Sequence, residues 1–362
     1  MRYTIHSRPL CDLESIAFIK GIINNKSTKD EISNILERRG NRFKSVVSKF
    51  FSKTLALEKH IRKNIILDML GYETTGKQMA EFLFKERGED KLIFADAIFY
   101  NNYAATVHGQ VQINKEIVII AAIDEIYLDE AYGSELANAK MDSVEFFTFV
   151  EECDMSDEDK LGAIKLYLKF DMYLQYATEL LGQVEQLINQ KLPDFNKEIT
   201  ALTSYLSSEL ETRGMAFLRD SLNITLDDKH VYQVYPGIYA QNSISFRWTG
   251  FTDVLIIVGL HIFDFIKTFD ELGSDSEKAE LFLKCLSDNT KLSILKLLKD
   301  GPMYGSQLAE KLDCTGANIS HHMSSLISLD MVYVRKENNR AYLHLNKDVI
   351  CQYLDDAKGL FL

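Results

Sequence analysis

The chain has 362 residues, is 46% hydrophobic and 26% charged, and carries a formal net charge of −12, an ordinary globular composition with room for two or three domains. Apolar runs such as Val254 to Leu260 are too short to span a bilayer, and Met1-Arg2-Tyr3-Thr4-Ile5-His6 lacks the basic and apolar regions of an export signal, so a cytoplasmic address with no membrane partner is expected. Cys11, Cys153, Cys285, Cys314 and Cys351 are odd in number and scattered, which argues against a disulfide framework or a Cys-rich zinc site.

In chain order, residues 1–7 alternate as a short strand, and Asp12 to Asn24 places Leu13, Ile16, Ala17, Ile19 and Ile23 at helical spacing. Helical patterns continue over residues 30–36 and 41–70, the second interleaving Arg42, Lys44, Lys49, Lys53, Lys59, Arg62 and Lys63 with apolar residues, which reads as the solvated side of a core helix. Residues 74–84 and 90–103 are again helical, the latter rich in Phe94, Phe99, Tyr100 and Tyr103, whereas the β-branched run Val111 to Ile123 fits either a strand or a buried helix. The acids Glu151, Glu152, Asp154, Asp157, Glu158 and Asp159 read as a surface loop. Two long amphipathic helices, 161–190 and 195–222, follow, with Pro193 interrupting the ladder and Asp194 placed to cap the second. Residues 224–246 alternate around Asp227-Asp228 and a Tyr235-Pro236-Gly237 hairpin, predicting two or three antiparallel strands. One more apolar element, Val254 to Phe269, completes this part.

Glu271-Leu272-Gly273-Ser274-Asp275-Ser276 breaks the apolar pattern, so a linker is expected at 271–276 between an N-terminal domain, 1–270, and a C-terminal one, 277–362. Charge divides along the same line. Residues 276–347 hold ten Lys and Arg against eight Asp and Glu, whereas residues 1–275 hold a net −12. An acidic body would be repelled by a polyanion and would leave the C-terminal part facing it.

Within that part, Thr290 to Lys299 carries Leu292, Ile294, Leu295, Leu297 and Leu298 on one face and stops at Asp300-Gly301-Pro302. Ser306 to Leu312 forms a second helix, with small Ala309 where two helices can approach closely. After the tight connection Asp313-Cys314-Thr315, Thr315 is placed as N-cap of a third helix whose inward stripe is Ile319, Met323 and Leu326. Its other face presents Gly316, Ala317, Asn318, Ser320, His321 and Ser324, short polar groups able to enter a major groove, with Asn318 suited to an adenine edge. Val332-Tyr333-Val334 and Ala341-Tyr342-Leu343 then make a hairpin around Glu337-Asn338-Asn339, with Arg335, Lys336 and Arg340 clustered near its tip for phosphates or a narrow minor groove. Three helices followed by a cationic hairpin make a winged helix-turn-helix. The expected fold class is therefore mainly α with small antiparallel β elements: this reading head plus a larger, mostly helical N-terminal domain.

Taken together, Leu286-Ser287-Asp288-Asn289-Thr290-Lys291-Leu292-Ser293-Ile294-Leu295, Gln307-Leu308-Ala309-Glu310-Lys311-Leu312 and Ile319-Ser320-His321-His322-Met323-Ser324-Ser325-Leu326 resemble the ArsR-type winged-helix regulators. The resemblance implies a homodimeric repressor of a twofold-symmetric double-stranded DNA operator, with Lys291, Ser306, Gln307, Thr315, Asn318, Ser320, His321, Arg335, Lys336 and Arg340 as the DNA-contacting set. It further implies dimerisation through the helices flanking the reading head, with Leu281, Leu283, Val349, Ile350, Tyr353 and Leu354 at the interface. Gly316 stands where the family has a polar contact residue, and Thr315 to Leu329 holds no Lys or Arg, leaving phosphate attraction to the wing and Lys291. That uncharged helix keeps a second reading open, a winged helix used for protein contacts. The family's thiolate metal site would align with Met303 to Gln307, which contains no Cys, and Asp348 to Lys358 contains no His, so no metal is expected. No Gly-rich phosphate loop or nucleophile motif is present, so neither a cofactor nor an enzymatic role is expected. The size of the N-terminal domain, with the rings Phe94, Phe99, Tyr100, Tyr103, Tyr167, Phe170, Tyr173 and Tyr176, suggests that it dimerises or receives a small organic effector.

Overall fold

The computed structural model describes residues 2–39, 43–69, 76–87, 93–96, 115–123, 126–127, 142–214, 216–217, 230–239, 241–248, 253–272, 275–312, 319, 322–323, 326–327, 329–337 and 340–360. These divide into two compact units, one of residues 1–211 and 227–262 and the other of residues 212–226 and 263–362.

The first unit begins with β1 (Arg2–Ile5), followed by α1 (Cys11–Ile23), α2 (Thr28–Arg39), α3 (Lys44–Asn64), α4 (Gly76–Phe84), α5 (Lys115–Ile123), α6 (Ser143–Glu152), α7 (Asp157–Leu168), α8 (Phe170–Lys191) and α9 (Asn196–Arg213). Helix α8 is its axis, packing on α1, α3 and α4 through the buried stripe Tyr173, Tyr176, Leu180, Val184 and Ile188, spaced by threes and fours as an amphipathic helix requires. Residues 161–190 are not one helix: the ladder breaks at Lys169 between α7 and α8. Pro193 lies in a 3-10 turn, Leu192–Phe195. Asp194 sits inside that turn, and its carbonyl accepts from the Lys53 amine at 2.6 Å.

The acidic run expected as a loop is instead helical at both ends. Glu151 and Glu152 close α6, and Asp157, Glu158 and Asp159 form the first turn of α7, where negative charge complements the helix dipole. Ser156 caps that turn by accepting from the Asp159 N–H, and Asp159 takes the Arg87 guanidinium at 2.6 Å. Residues 115–123 resolve to helix, and of the 90–103 pattern only 93–96 are described.

Strands β2 (Val231–Gly237), β3 (Ile244–Trp248) and β4 (Asp253–Gly259) complete the sheet in the order β1-β2-β4-β3. The antiparallel reading of residues 224–246 is corrected here. β1 pairs with β2 in parallel, β2 pairs with β4 in parallel, and β3 alone runs antiparallel, against β4. Tyr235-Pro236-Gly237 makes no hairpin but extends β2 alongside Ile257, Val258 and Gly259. The physical reason lies in burial: Val234 to Gly237 and, from β4, Val254, Leu255, Ile256 and Val258 are buried. A strand covered on both faces is the usual environment of parallel pairing. The last apolar stretch is likewise two elements, β4 and then α10 (Ile262–Leu272).

At the carboxyl end of β2 the backbone is held by buried side chains. Glu14 of α1 accepts from the N–H groups of Ile238, at 2.9 Å, and Tyr239, at 2.8 Å, while Thr54 of α3 donates to the Ile238 carbonyl at 3.2 Å and receives the Gln241 amide. Burial pushes the Glu14 carboxyl up to about 7 despite those two donors.

In the second unit, Phe217 packs on Phe263 with ring centroids 5.4 Å apart. Helix α10 ends at Leu272, and α11 (Asp275–Leu286), α12 (Asn289–Asp300), α13 (Gly305–Leu312), β5 (Val332–Glu337), β6 (Arg340–Leu345) and α14 (Lys347–Lys358) follow. One core of Phe282, Ile294, Leu298, Leu308, Ile319, Met323, Leu326, Met331, Val332 and Leu343 ties these together.

Candidate nucleic-acid interface

Three pieces frame the reading head. Helix α12 starts at Asp288, whose carboxylate accepts from the Thr290 and Lys291 N–H groups at 3.0 Å each, satisfying donors a helix start otherwise leaves open. Between α12 and α13 the chain does more than turn. The Met303 N–H donates to the Leu343 carbonyl at 3.2 Å and the Leu343 N–H to the Met303 carbonyl at 2.8 Å, so the segment joins β6 as a short third edge of the wing. Tyr304 sits edge-on to Tyr342, with centroids 5.8 Å apart.

The third helix is described at Ile319, His322, Met323, Leu326 and Ile327. Ile319, Met323 and Leu326 are all buried in the core, at the i, i+4 and i+7 spacing that the sequence assigned to the inward stripe. Its exit is tight: the Met331 N–H reaches back to the Leu326 carbonyl at 3.0 Å and the Asp330 N–H to that of Ile327 at 2.9 Å. Asp330 adopts a left-handed φ of 53° there, a conformation Asp tolerates better than most residues. From that turn β5 runs directly into the wing.

Of the ten residues expected to meet DNA, six are described. Lys291 lies in the first turn of α12 with its amine 3.8 Å from the Asp288 carboxylate. Ser306 is exposed in the first turn of α13. The Gln307 side-chain oxygen accepts from the Tyr304 N–H at 3.2 Å, so it helps start α13. The wing register sets Arg335 opposite Tyr342, Lys336 opposite Ala341, and Arg340 opposite Glu337, bringing the three cationic residues into the last three pairs of the hairpin. Thr315, Asn318, Ser320 and His321 lie outside the described residues, as do Asp313, Gly316 and the wing tip Asn338-Asn339.

Sequence reasoning had passed over Asp288. Its second oxygen lies 3.5 Å from His322 Nδ1, so one carboxylate touches both the start of α12 and the third helix. The backbone N–H of Lys291, followed by the charges of His322 and Lys291, holds the Asp288 carboxyl below the usual carboxylate range. An acid two and three residues before the donors it caps was a readable signal. The His322 contact, 34 positions on, was not.

Flanking the head, α11 and α14 pack on each other, with Phe282 stacked on Tyr353 at 5.4 Å. Leu281, Ile350 and Tyr353 are partly buried against the core, while Leu283 and Leu354 stand 36% and 45% exposed. Among the described residues no three His, Cys, Asp or Glu side chains come together as a metal would need, and no helix is long and apolar enough to cross a membrane.

The profile of the bacterial regulatory protein arsR family matches residues 288–334. The arsenical resistance operon repressor of Staphylococcus aureus is 37% identical over 68 residues, 19% of this chain and 65% of the repressor, so the chain spans a little under two thirds of that relative. That of Staphylococcus xylosus is 40% identical over 76 residues, 20% of this chain and 73% of the relative. The transcriptional repressor SdpR of Bacillus subtilis (strain 168) is 33% identical over 67 residues, 18% of this chain and 74% of its own. All three similarities cover a small part of the chain, and it is through that C-terminal part that the chain belongs to the bacterial arsR family of regulatory proteins.

Proposed function

We propose that the protein is a homodimeric, sequence-specific DNA-binding transcriptional repressor, released from its operator by an effector acting on the larger unit. The observation that carries this reading is the third helix packed into its own core by Ile319, Met323 and Leu326, followed after a tight turn at Asp330 by a hairpin bearing Arg335, Lys336 and Arg340. A helix anchored by one apolar stripe has its remaining circumference for a groove, and cations on an adjacent hairpin suit the flanking phosphates. Two of the similar proteins are repressors of arsenical resistance operons and the third is a transcriptional repressor. Dimerisation is assigned to the α11 and α14 pair, whose Leu283 and Leu354 are exposed apolar side chains. The effector reading draws on the size of the first unit. Its rings Phe94, Tyr167, Phe170, Tyr173 and Tyr176 are buried, and Phe99, Tyr100 and Tyr103 lie outside the described residues.

The test is a gel shift at low salt with duplexes from the protein's own promoter. Arg335→Ala with Arg340→Ala is expected to weaken binding to all sequences alike and to lower the salt slope by about 2, one unit for each lost phosphate contact. Asn318→Ala is expected to change the ranking among sequences instead. A wild-type chain that retains no duplex at low salt sinks this reading and favours the protein-contact alternative, which the absence of Lys and Arg from Thr315 to Leu329 supports.

A further inference from the structure

Asp288 occupies a junction. One oxygen caps α12 through two backbone donors at 3.0 Å, and the other faces His322 Nδ1 at 3.5 Å and the Lys291 amine at 3.8 Å. The His322 side chain is 14% exposed, and its Nδ1 atom is closed off from solvent. The facing Asp288 side chain is 32% exposed, so the shielding lies on the imidazole side, where a nitrogen closed off from water feels a nearby carboxylate more strongly than a surface nitrogen does. The two groups also fix a direction that Ile319, Met323 and Leu326 do not, because apolar packing is non-directional.

We propose that Asp288 is a positioning residue for DNA reading, setting the rotation of the third helix against α12 through His322. The inference rests on the DNA-binding reading above and names how that site is kept in register. A helix that turns by a fraction of a residue loses base contacts, which demand close geometry, while phosphate attraction from the wing persists. Breaking the link therefore costs discrimination between sequences and leaves non-specific affinity in place.

Asp288→Asn isolates this role, since Asn caps a helix as well as Asp does but removes the charge facing His322. The full chain is used to select duplexes from a randomised pool, and the best duplex is compared with a scrambled one of the same composition. Asp288→Asn and His322→Gln are each expected to lower the specific to non-specific ratio about tenfold, within the range for side chains in contact. The salt slope should stay unchanged, and the double variant should lose no more than either single one. Independently of DNA, the 15N signals of the His322 ring, which report which nitrogen carries the proton, are expected to move in Asp288→Asn, because a facing carboxylate selects the tautomer. Multiplying losses in the double variant, an unchanged ratio, or unmoved ring signals would each overturn the proposal. If the wild-type chain selects no duplex, the DNA reading fails by itself, and the ring signals alone decide whether Asp288 holds His322.

Discussion

Replacing Glu14 with Gln separates the charge of this residue from its shape, and the structure says what the charge does. The side chain is 5% exposed, and burial raises its carboxyl from 4.5 to about 7. That distance corresponds to about 3 kcal/mol of preference for the protonated form in the fold. Because the folded value lies above the unfolded one, the stabilisation is fully present below pH 4.5 and is lost as pH rises towards 7. Most of the loss falls between pH 5 and 8, on the order of a hundredfold in the unfolding constant. Glu31, raised to about 7 first by burial and then by the neighbouring Glu58 carboxylate, adds a slope of the same sign. Asp30, Asp159, Glu198 and Asp288 are shifted downward and act in the opposite sense below this window. Urea unfolding followed by fluorescence of Trp248, the single tryptophan, on strand β3, is the assay. Wild type should lose stability from pH 5 to 8, Glu14→Gln should lose less, and the pair Glu14→Gln with Glu31→Gln should be nearly flat. A wild-type curve that is level or rises over that range, or a Glu14→Gln variant that keeps the full slope, would refute the reasoning.

Two further outcomes are expected. A Cβ added at Gly162 would lie 2.1 Å from Phe82 Cε2, and that ring is stacked on Phe94 at 4.7 Å and covered by the Arg87 guanidinium at 4.9 Å. Gly162→Ala should therefore cost about 1–3 kcal/mol through overpacking, whereas Gly182→Ala, where the added atom meets nothing within 4 Å, should stabilise α8 by roughly 0.5–1 kcal/mol, both read by thermal unfolding. Leu283→Glu together with Leu354→Glu should shift sedimentation equilibrium from dimer to monomer. An unaltered mass would remove the α11 and α14 pair from the interface.

The C-terminal head was legible because its information is local. Its buried stripe of Ile319, Met323 and Leu326, the second-helix residue Leu308, and the strand residues Val332 and Leu343 each follow from the period of the segment they occupy. On the polar side of the site, the three wing cations fall in adjacent pairs, whereas Gln307 helps start its own helix and Lys291 lies beside Asp288.

Farther along the chain that locality fails. β1 and β2 pair across more than 200 positions, Arg2 against Val231, and nothing in residues 231–237 reveals that their neighbours are β1 and β4 rather than the next strand in sequence. The run Val254 to Val258 reads in sequence as an apolar element, but a covered strand pairs according to what the rest of the chain brings alongside. Glu14 is an acid in an apolar helix, which from periodicity alone would be solvated, and only its approach to the N–H groups of Ile238 and Tyr239, 224 and 225 positions on, accounts for its burial. The sequence by itself thus determined most of the helices and the apolar stripes of the reading head, because propensity, capping and hydrophobic period act within a few residues. The tertiary structure alone decided strand order, the parallel sheet and the partners of Glu14 and His322, because hydrogen bonds and buried charges are matched in space between segments whose separation along the chain carries no local trace.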